Sequence, residues 1–164
     1  MTSGPAPRIR AAEPRDVPAI ATFIRDLARY ERLEHLLDID EGRLRSHLFG
    51  ERPACGALLA ESQGQPVGFA LFFSNYSTFR TRPCLYLEDL FVAPEHRGRG
   101  LGLQLLRAVA AEAVARGCPR LDWSVLDWNE PAIGFYKKQG AALLSDWRTC
   151  RLEGEALARV AAGR

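Results

Sequence analysis

The run Arg97-Gly98-Arg99-Gly100-Leu101-Gly102 limits the architecture of this chain more than any other segment. It follows the apolar stretch "CLYLEDLFVA" (84–93) and leads directly into "LQLLRAVAAEAVARG". There Leu103, Leu106, Val109, Ala110, Ala113 and Val114 recur at helical spacing before Gly117 closes the run. A strand, a tight glycine loop and a helix in direct succession predict an α/β chain.

The flanking segments fill in the order. "PRIRAA" (7–12) reads as a first strand after a lead, residues 1–6, expected to be disordered. In "EPRDVPAIATFIRDLARYERLEHL", Val17, Ile20, Phe23, Ile24, Leu27 and Tyr30 mark an amphipathic helix, with a shorter helix from Asp40 to Phe49 stopped by Gly50. "GALLAES" (56–62) and "QPVGFALFFSNYS" (65–77) are strand-like and joined by the turn-rich "SQGQP". A strand over 120–128, a helix over 129–140 and two strand-like pieces, "ALLSDW" and "TCRLEG", complete the order β-α-α-β-β-β-α-β-α-β-β. This predicts one mixed sheet flanked by helices, neither doubly wound nor a sandwich. The 164 residues suit a single domain spanning 1–164.

Composition excludes several classes. The net charge of +2 and the absence of a basic stripe argue against nucleic acid as a partner. Cys55, Cys84, Cys118 and Cys150 lie far apart without neighbouring histidines at ligand spacing, so no metal is expected and the thiols are expected to be reduced. No apolar run approaches membrane-spanning length and the first residues carry no signal core; the expectation is a soluble, cytoplasmic protein with no membrane partner.

Glycine at alternate positions lets backbone amides converge on a ligand, and a helix starting there adds unpaired amides and a positive dipole end. The loop therefore suits a phosphate or pyrophosphate, or else it is only a tight strand-to-helix connection. A P-loop is excluded because the chain has no Gly-Lys pair, and the dinucleotide fingerprint fails at Leu103.

Arg97, Gly100 and Gly102 match the Q/R-x-x-G-x-G/A loop of the GCN5-related N-acetyltransferases, which the chain resembles. Asn129, Ala132, Phe135, Tyr136 and Gly140 match a second stretch of that family. "LARYE", "LYLEDLFVAPEHRGRGLG" and "VLDWNEPAIGFYKKQGA" are similar to the branch of spermidine/spermine (diamine) and thialysine acetyltransferases, over roughly Ile9 to Ala141. The resemblance implies a GNAT fold with splayed central strands, acetyl-coenzyme A as donor, a small primary amine as acceptor and a homodimer. It implies that Leu90, Phe91 and Val92 pair with the pantetheine arm. It also implies that Arg97, Gly98, Arg99, Gly100, Leu101, Gly102 and Leu103 hold the pyrophosphate, with Asn129, Ala132 and Tyr136 completing the donor site.

A primary amine with a pKa of about 10.4 is uncharged in roughly one molecule in a few thousand at pH 7, a cost of about 4–5 kcal/mol. A carboxylate or a water relay must take its proton. Glu88, charged within an apolar strand, is the candidate base, or simply an exposed strand-face carboxylate. Asp89 has the opposite facing unless the strand is bulged. Tyr136, whose phenol is protonated at neutral pH, reads from the residues alone as packing with Phe135; the resemblance makes it instead the candidate proton donor to the leaving thiolate. No cysteine falls in the matching segments, which favours direct transfer in a ternary complex. On the acceptor side the resemblance assigns Tyr30, Glu31, Glu88, Asp122, Trp123 and Ser124, with Glu34 as an addition; from the residues alone Glu31 reads equally as a solvated helix face and Trp123 as core. Ser77 follows Tyr76 where the polyamine enzymes are acidic, which favours a smaller amine such as a lysine analogue or diamine. A non-catalytic acyl-coenzyme A binder, or a transferase for a protein or antibiotic amine, are the alternatives.

Overall fold

A computed structural model describes residues 6–163. The expected disordered lead lies outside them apart from Ala6. The chain forms two compact units, the first ending at Ser124 and the second beginning at Val125.

The first unit contains strands β1 (Arg8–Ala11), β2 (Gly56–Ser62), β3 (Gln65–Ser77), β4 (Arg82–Val92) and β5 (Leu121–Asp122), ordered β1-β2-β3-β4-β5 in one sheet. The first four run antiparallel and β5 runs parallel to β4, which gives the mixed sheet expected from the sequence. Ser62 pairs with Gln65 across Gln63 and Gly64, whose φ values of 52° and 77° make the type I′ turn that matches strand twist.

Helices α1 (Val17–Glu31) and α2 (Glu41–Phe49) lie between β1 and β2, and α3 (Leu101–Ala115) lies between β4 and β5. Ile20 and Phe23 of α1 join Leu48 of α2 over Ala57, Leu59, Phe69, Leu71 and Phe91, one face of the sheet. Phe23 stacks 5.9 Å from Phe69 and lies tilted by 42° at 5.9 Å from Phe91. The opposite face carries Phe72, and Arg116 at the end of α3 sits 5.6 Å from its ring. Burial on α3 follows Leu101, Leu105, Leu106, Val109 and Ala113. Of the apolar positions expected on that helix, Leu103 is half-buried and Val114 is exposed, because the stripe is set by Leu101 and Leu105 one turn apart.

Local chemistry fixes the helix ends. Asp40 caps α2 by accepting the Arg43 amide at 2.7 Å, and Gly50 closes it. The first helix is shorter than its periodic pattern: Arg32 adopts φ 62° and its amide returns to Ala28 and Arg29 carbonyls, so only a 3₁₀ turn, Glu34–Leu36, follows.

Three strand expectations are corrected. The segment 120–128 is extended only at Leu121–Asp122, because β4 offers it a paired edge only at Leu85 and Tyr86. "ALLSDW" and "TCRLEG" are not strands: residues 141–153 have no ladder partner among the described residues, and alternation without a neighbour cannot make a sheet. The second unit instead contains α4 (Glu130–Lys138) and α5 (Gly154–Ala161), the latter built from the strong helix formers of "GEALARVA".

One charge cluster ties β1 to the start of α1 and to β2. The Arg10 guanidinium grips both oxygens of Asp16, at 2.7 and 2.9 Å, and its Nε donates to Glu61 at 2.6 Å. Arg8 donates to the same Glu61 oxygen at 3.1 Å. Hydrogen bonds from Arg10 hold both carboxyl groups below their ordinary range. The native state therefore binds fewer protons than the unfolded chain near pH 4, and this stabilisation is present above the unfolded carboxyl range and lost as pH falls through it. Arg10→Ala is expected to cost about 1–3 kcal/mol at pH 7, less than a fully buried pair because Arg8 stays on Glu61. Denaturant unfolding between pH 3 and 7 checks this; the loss must shrink toward pH 3.

Candidate active site

The decisive irregularity lies in β4. Leu71 of β3 pairs with Asp89 and Phe72 pairs with Leu87, so Glu88 is an extra residue with no opposite partner. Before the bulge, Tyr86 shares a face with its partner Phe73, their rings 5.2 Å apart; after it, Asp89 and Phe91 share that same face opposite Leu71 and Phe69. The bulge thus returns Asp89 to the face covered by α1 and leaves Glu88 exposed. The simple alternation that sets Glu88 against Asp89 does not survive it.

Asp89 is half-buried, and its carboxyl is pushed up to about 7 by burial, helped by the like charges of Glu88 and Glu31. Glu31, half-buried at the end of α1, is also raised by burial. Glu31 is therefore not a solvated helix-face residue but one of three carboxylates converging near the middle of β4. Sequence reading selected two of them. The third, Asp89, could be found only by recognising the bulge.

β4 is paired with β5 only at Leu85 and Tyr86 and runs on to Val92 without a partner on that side among the described residues. The Ala93 amide donates to Val67 at 2.9 Å, so by ladder alternation Phe91 is bonded to β3 while Leu90 and Val92 turn their backbone groups to the open edge. Of the three residues expected along the donor, Leu90 and the Val92 amide face the open edge, while the Val92 carbonyl accepts from Arg97. Phe91 is engaged with β3 and buried under α1.

Beyond that edge comes the glycine loop. Gly98 and Gly100 have φ values of 73° and 77°, and nothing lies within 4 Å of the position a Cβ would take at either. Glycine is selected there by the sign of φ rather than by crowding; another residue would cost roughly 1–2 kcal/mol. Gly100 is the N-cap of α3, and no side chain caps it, unlike Asp40 on α2. The first-turn amides, among them Leu101, Gly102 and Leu103, have no intrahelical acceptor. An uncapped helix start beside positive-φ glycines suits an anionic group such as a pyrophosphate. Leu101 is buried, Gly102 and Leu103 are half-buried, and Arg99 is exposed.

Arg97 is turned differently from the loop's amides. Its Nε donates to the Val92 carbonyl at 2.8 Å, and its guanidinium lies 5.1 Å from the centre of the Tyr30 ring and 5.4 Å from that of Phe91. It fastens the C-terminal end of α1 to the end of β4. Tyr30 is 39% exposed. Asp122 and Trp123 are half-buried, and exposed Ser124 shares a 2.7 Å hydrogen bond with Tyr86, a residue not anticipated from sequence.

Asn129, Ala132 and Tyr136 belong to the second unit. Buried Asn129 caps α4, its Oδ1 accepting the Ala132 amide at 3.4 Å, which accounts for the three-residue spacing. Tyr136 is half-buried, its ring 5.1 Å from that of Phe135. Among the described residues no group of three or more His, Cys, Asp or Glu could hold a metal ion.

The Acetyltransferase (GNAT) family model matches residues 20–141, across this mixed sheet, its open β4 edge and the uncapped glycine loop, and the chain belongs to that family. Members of it use acetyl-coenzyme A. The chain is 41% identical to thialysine N-epsilon-acetyltransferase from Bos taurus, covering 93% of this chain and 96% of that protein. It is 36% identical to L-ornithine N5-acetyltransferase from Arabidopsis thaliana, covering 92% and 86%. Among solved structures, an integron cassette protein from the mobile metagenome of V. cholerae superposes with a TM-score of 0.79 at 28% identity, covering 96% and 99%.

The Asp89 carboxyl gives a stability test. Its native pKa is above the unfolded value, so the native state binds the extra proton; stability falls as pH rises from about 4 to about 7 and is flat above. Asp89→Asn is expected to remove that fall, gaining about 2–4 kcal/mol at pH 8.5 relative to pH 4, at about 1.4 kcal/mol per unit. Parallel unfolding profiles for the two proteins would exclude a buried carboxyl.

Proposed function

We propose that the protein transfers the acetyl group of acetyl-coenzyme A to the primary amine of a small cationic molecule, such as a diamine, polyamine or lysine analogue, by direct attack. The observation that carries this is the cluster of Glu31, Glu88 and Asp89 beside an open β4 edge that ends in an uncapped helix. Its carboxylates draw a cationic amine, and the relatives named above act by name on thialysine and ornithine, both short amines.

The backbone groups of Leu90 and the amide of Val92 would hold the donor's arm, and the amides of Gly98 to Leu103 its pyrophosphate. The donor supplies a thioester carbon, which gains the amine nitrogen as the bond to sulfur breaks. Glu88, exposed at the bulge, takes a proton from the ammonium so that a free amine is present, directly or through water. Asp89, with a carboxyl near 7, is a second group able to hold that proton at neutral pH. Tyr136 would donate its phenolic proton to the departing sulfur, and the second proton lost by the nitrogen as the amide forms would return to that phenolate, directly or through water. Tyr30, Asp122, Trp123 and Ser124 line the acceptor side. Asn129 and Ala132 support the donor through the start of α4.

The same reading makes residues 1–164 one N-acetyltransferase domain, which the family match supports by running across the boundary at Ser124. It also makes the protein a homodimer: Leu144, Trp147, Leu157 and Val160 of the second unit are exposed, Trp147 by 75%. Light scattering that gives a monomer at micromolar concentration would remove that part. A cytoplasmic location accords with four unpaired cysteines.

Thiol release from acetyl-coenzyme A over a panel of amines tests the reaction. Amine-dependent release is expected, and Tyr136→Phe should lower kcat by about 10²–10³-fold with the donor KM nearly unchanged, in the range of general acid catalysis. Donor binding without release on any amine would contradict the proposal.

A further inference from the structure

Along the α1 face of the sheet an anionic cluster gives way over a short distance to an arginine–aspartate pair. Asp89 and Tyr86 share that face, and Asp122 is the β5 partner of Tyr86, with Arg120 two residues earlier on the same side. The end at Asp89 is anionic, with Glu31 and Glu88 beside it. At the other end the carboxylate of Asp122 is engaged: Arg120 Nε donates to it at 2.7 Å, and Arg120 Nη1 reaches the buried Ser77 hydroxyl at 3.4 Å. The remaining donors of the guanidinium fork lie outside these two contacts. The Arg120–Asp122 pair is thus close to neutral as a unit, and what it offers an arriving group is the guanidinium's unused N–H donors rather than a further carboxylate.

We propose that Arg120 is a specificity-determining residue that receives the carboxylate of the acceptor, so that the preferred substrate is a short amino acid carrying a terminal amine rather than a plain diamine. The inference rests on the reading of the protein as a small-amine acetyltransferase. The distances agree. Asp89 and Tyr86 are two ladder steps apart, about 7 Å, and the neighbouring strand is about 4.8 Å further across, which places the Asp122–Arg120 pair roughly 8 Å from the carboxylate cluster. An extended chain of about six bonds, from terminal nitrogen to carboxylate carbon, covers roughly 7 Å at the per-bond rise of extended polypeptide. Such a molecule sets its amine at the anionic end and its carboxylate at the guanidinium, where planar two-pronged recognition is available. A diamine of equal length loses that anchor, and a longer polycation carries like charge into it.

Matched pairs that differ only in the carboxylate test this: L-ornithine against putrescine and L-lysine against cadaverine, each assayed with acetyl-coenzyme A. The wild-type protein should favour the amino acid of each pair in kcat/KM. Arg120→Gln should lower that amino-acid-to-diamine ratio by about 10- to 100-fold, through KM, as expected for loss of a charged hydrogen-bonded contact. Arg120→Lys should restore part of it. Thermal unfolding and the donor KM of each variant report whether the fold and the donor site are intact. A ratio unmoved by Arg120→Gln, in a folded variant that still turns over amines, would overturn the role of Arg120 alone. Wild-type protein that acetylates none of the four amines would overturn the small-amine reading and this inference together.

Discussion

Between Leu71 and Phe72 of β3, the facing strand inserts one residue too many, and the site is organised around that residue. Glu88 is pushed out of the ladder and into solvent. Asp89 is returned to the α1 face, where burial and two neighbouring carboxylates hold its proton to about pH 7. A bulge also bends and twists the strand that carries it, and β5 stops pairing with β4 at Tyr86, just before it. The same irregularity therefore coincides with two necessities of acyl transfer: a cluster of carboxylates for a cationic amine, and a stretch of strand edge with backbone groups to offer.

The rest of the first unit holds this edge in place. Phe23, Phe69 and Phe91 fix α1 against the sheet, and Arg97 bonds the Val92 carbonyl while lying over Tyr30 and Phe91. The end of α1, where Tyr30 and Glu31 sit, is thus held to the last residue of β4. Arg10, Asp16 and Glu61 secure the other end of the helix to β1 and β2. Charge is needed at both ends for different reasons: at Asp16 it is paired and stabilising, and at Asp89 it is unpaired and costs stability at neutral pH, as functional carboxylates commonly do.

Much of this was legible in the sequence because it is local. The glycine loop, the start and end of α2, the hairpin at Gln63-Gly64 and the family resemblance each rest on a few adjacent residues. The losses have a common cause in tertiary pairing. Alternation in "ALLSDW", "TCRLEG" and Trp123 to Trp128 reads as strand, yet a strand exists only beside a partner, and β4 provides β5 with two positions. The facing of Asp89 stays open in the sequence for the same reason, since a bulge is a relation between two strands. Arg120 carries no motif at all; its meaning comes from Asp122 and Ser77, which the ladder brings to it.

The edge of β4 freed beside the bulge, together with the uncapped start of α3, is the proposed seat of the acetyl donor. Residue-resolved amide hydrogen exchange with and without acetyl-coenzyme A tests it most directly. The Leu90 and Val92 amides, with those of Leu101 to Leu103, should exchange readily alone and become protected by at least about tenfold with the donor bound, whereas Phe91, bonded to β3, should be protected in both states. Unchanged exchange at Leu90 and Val92 under saturating donor would contradict the account.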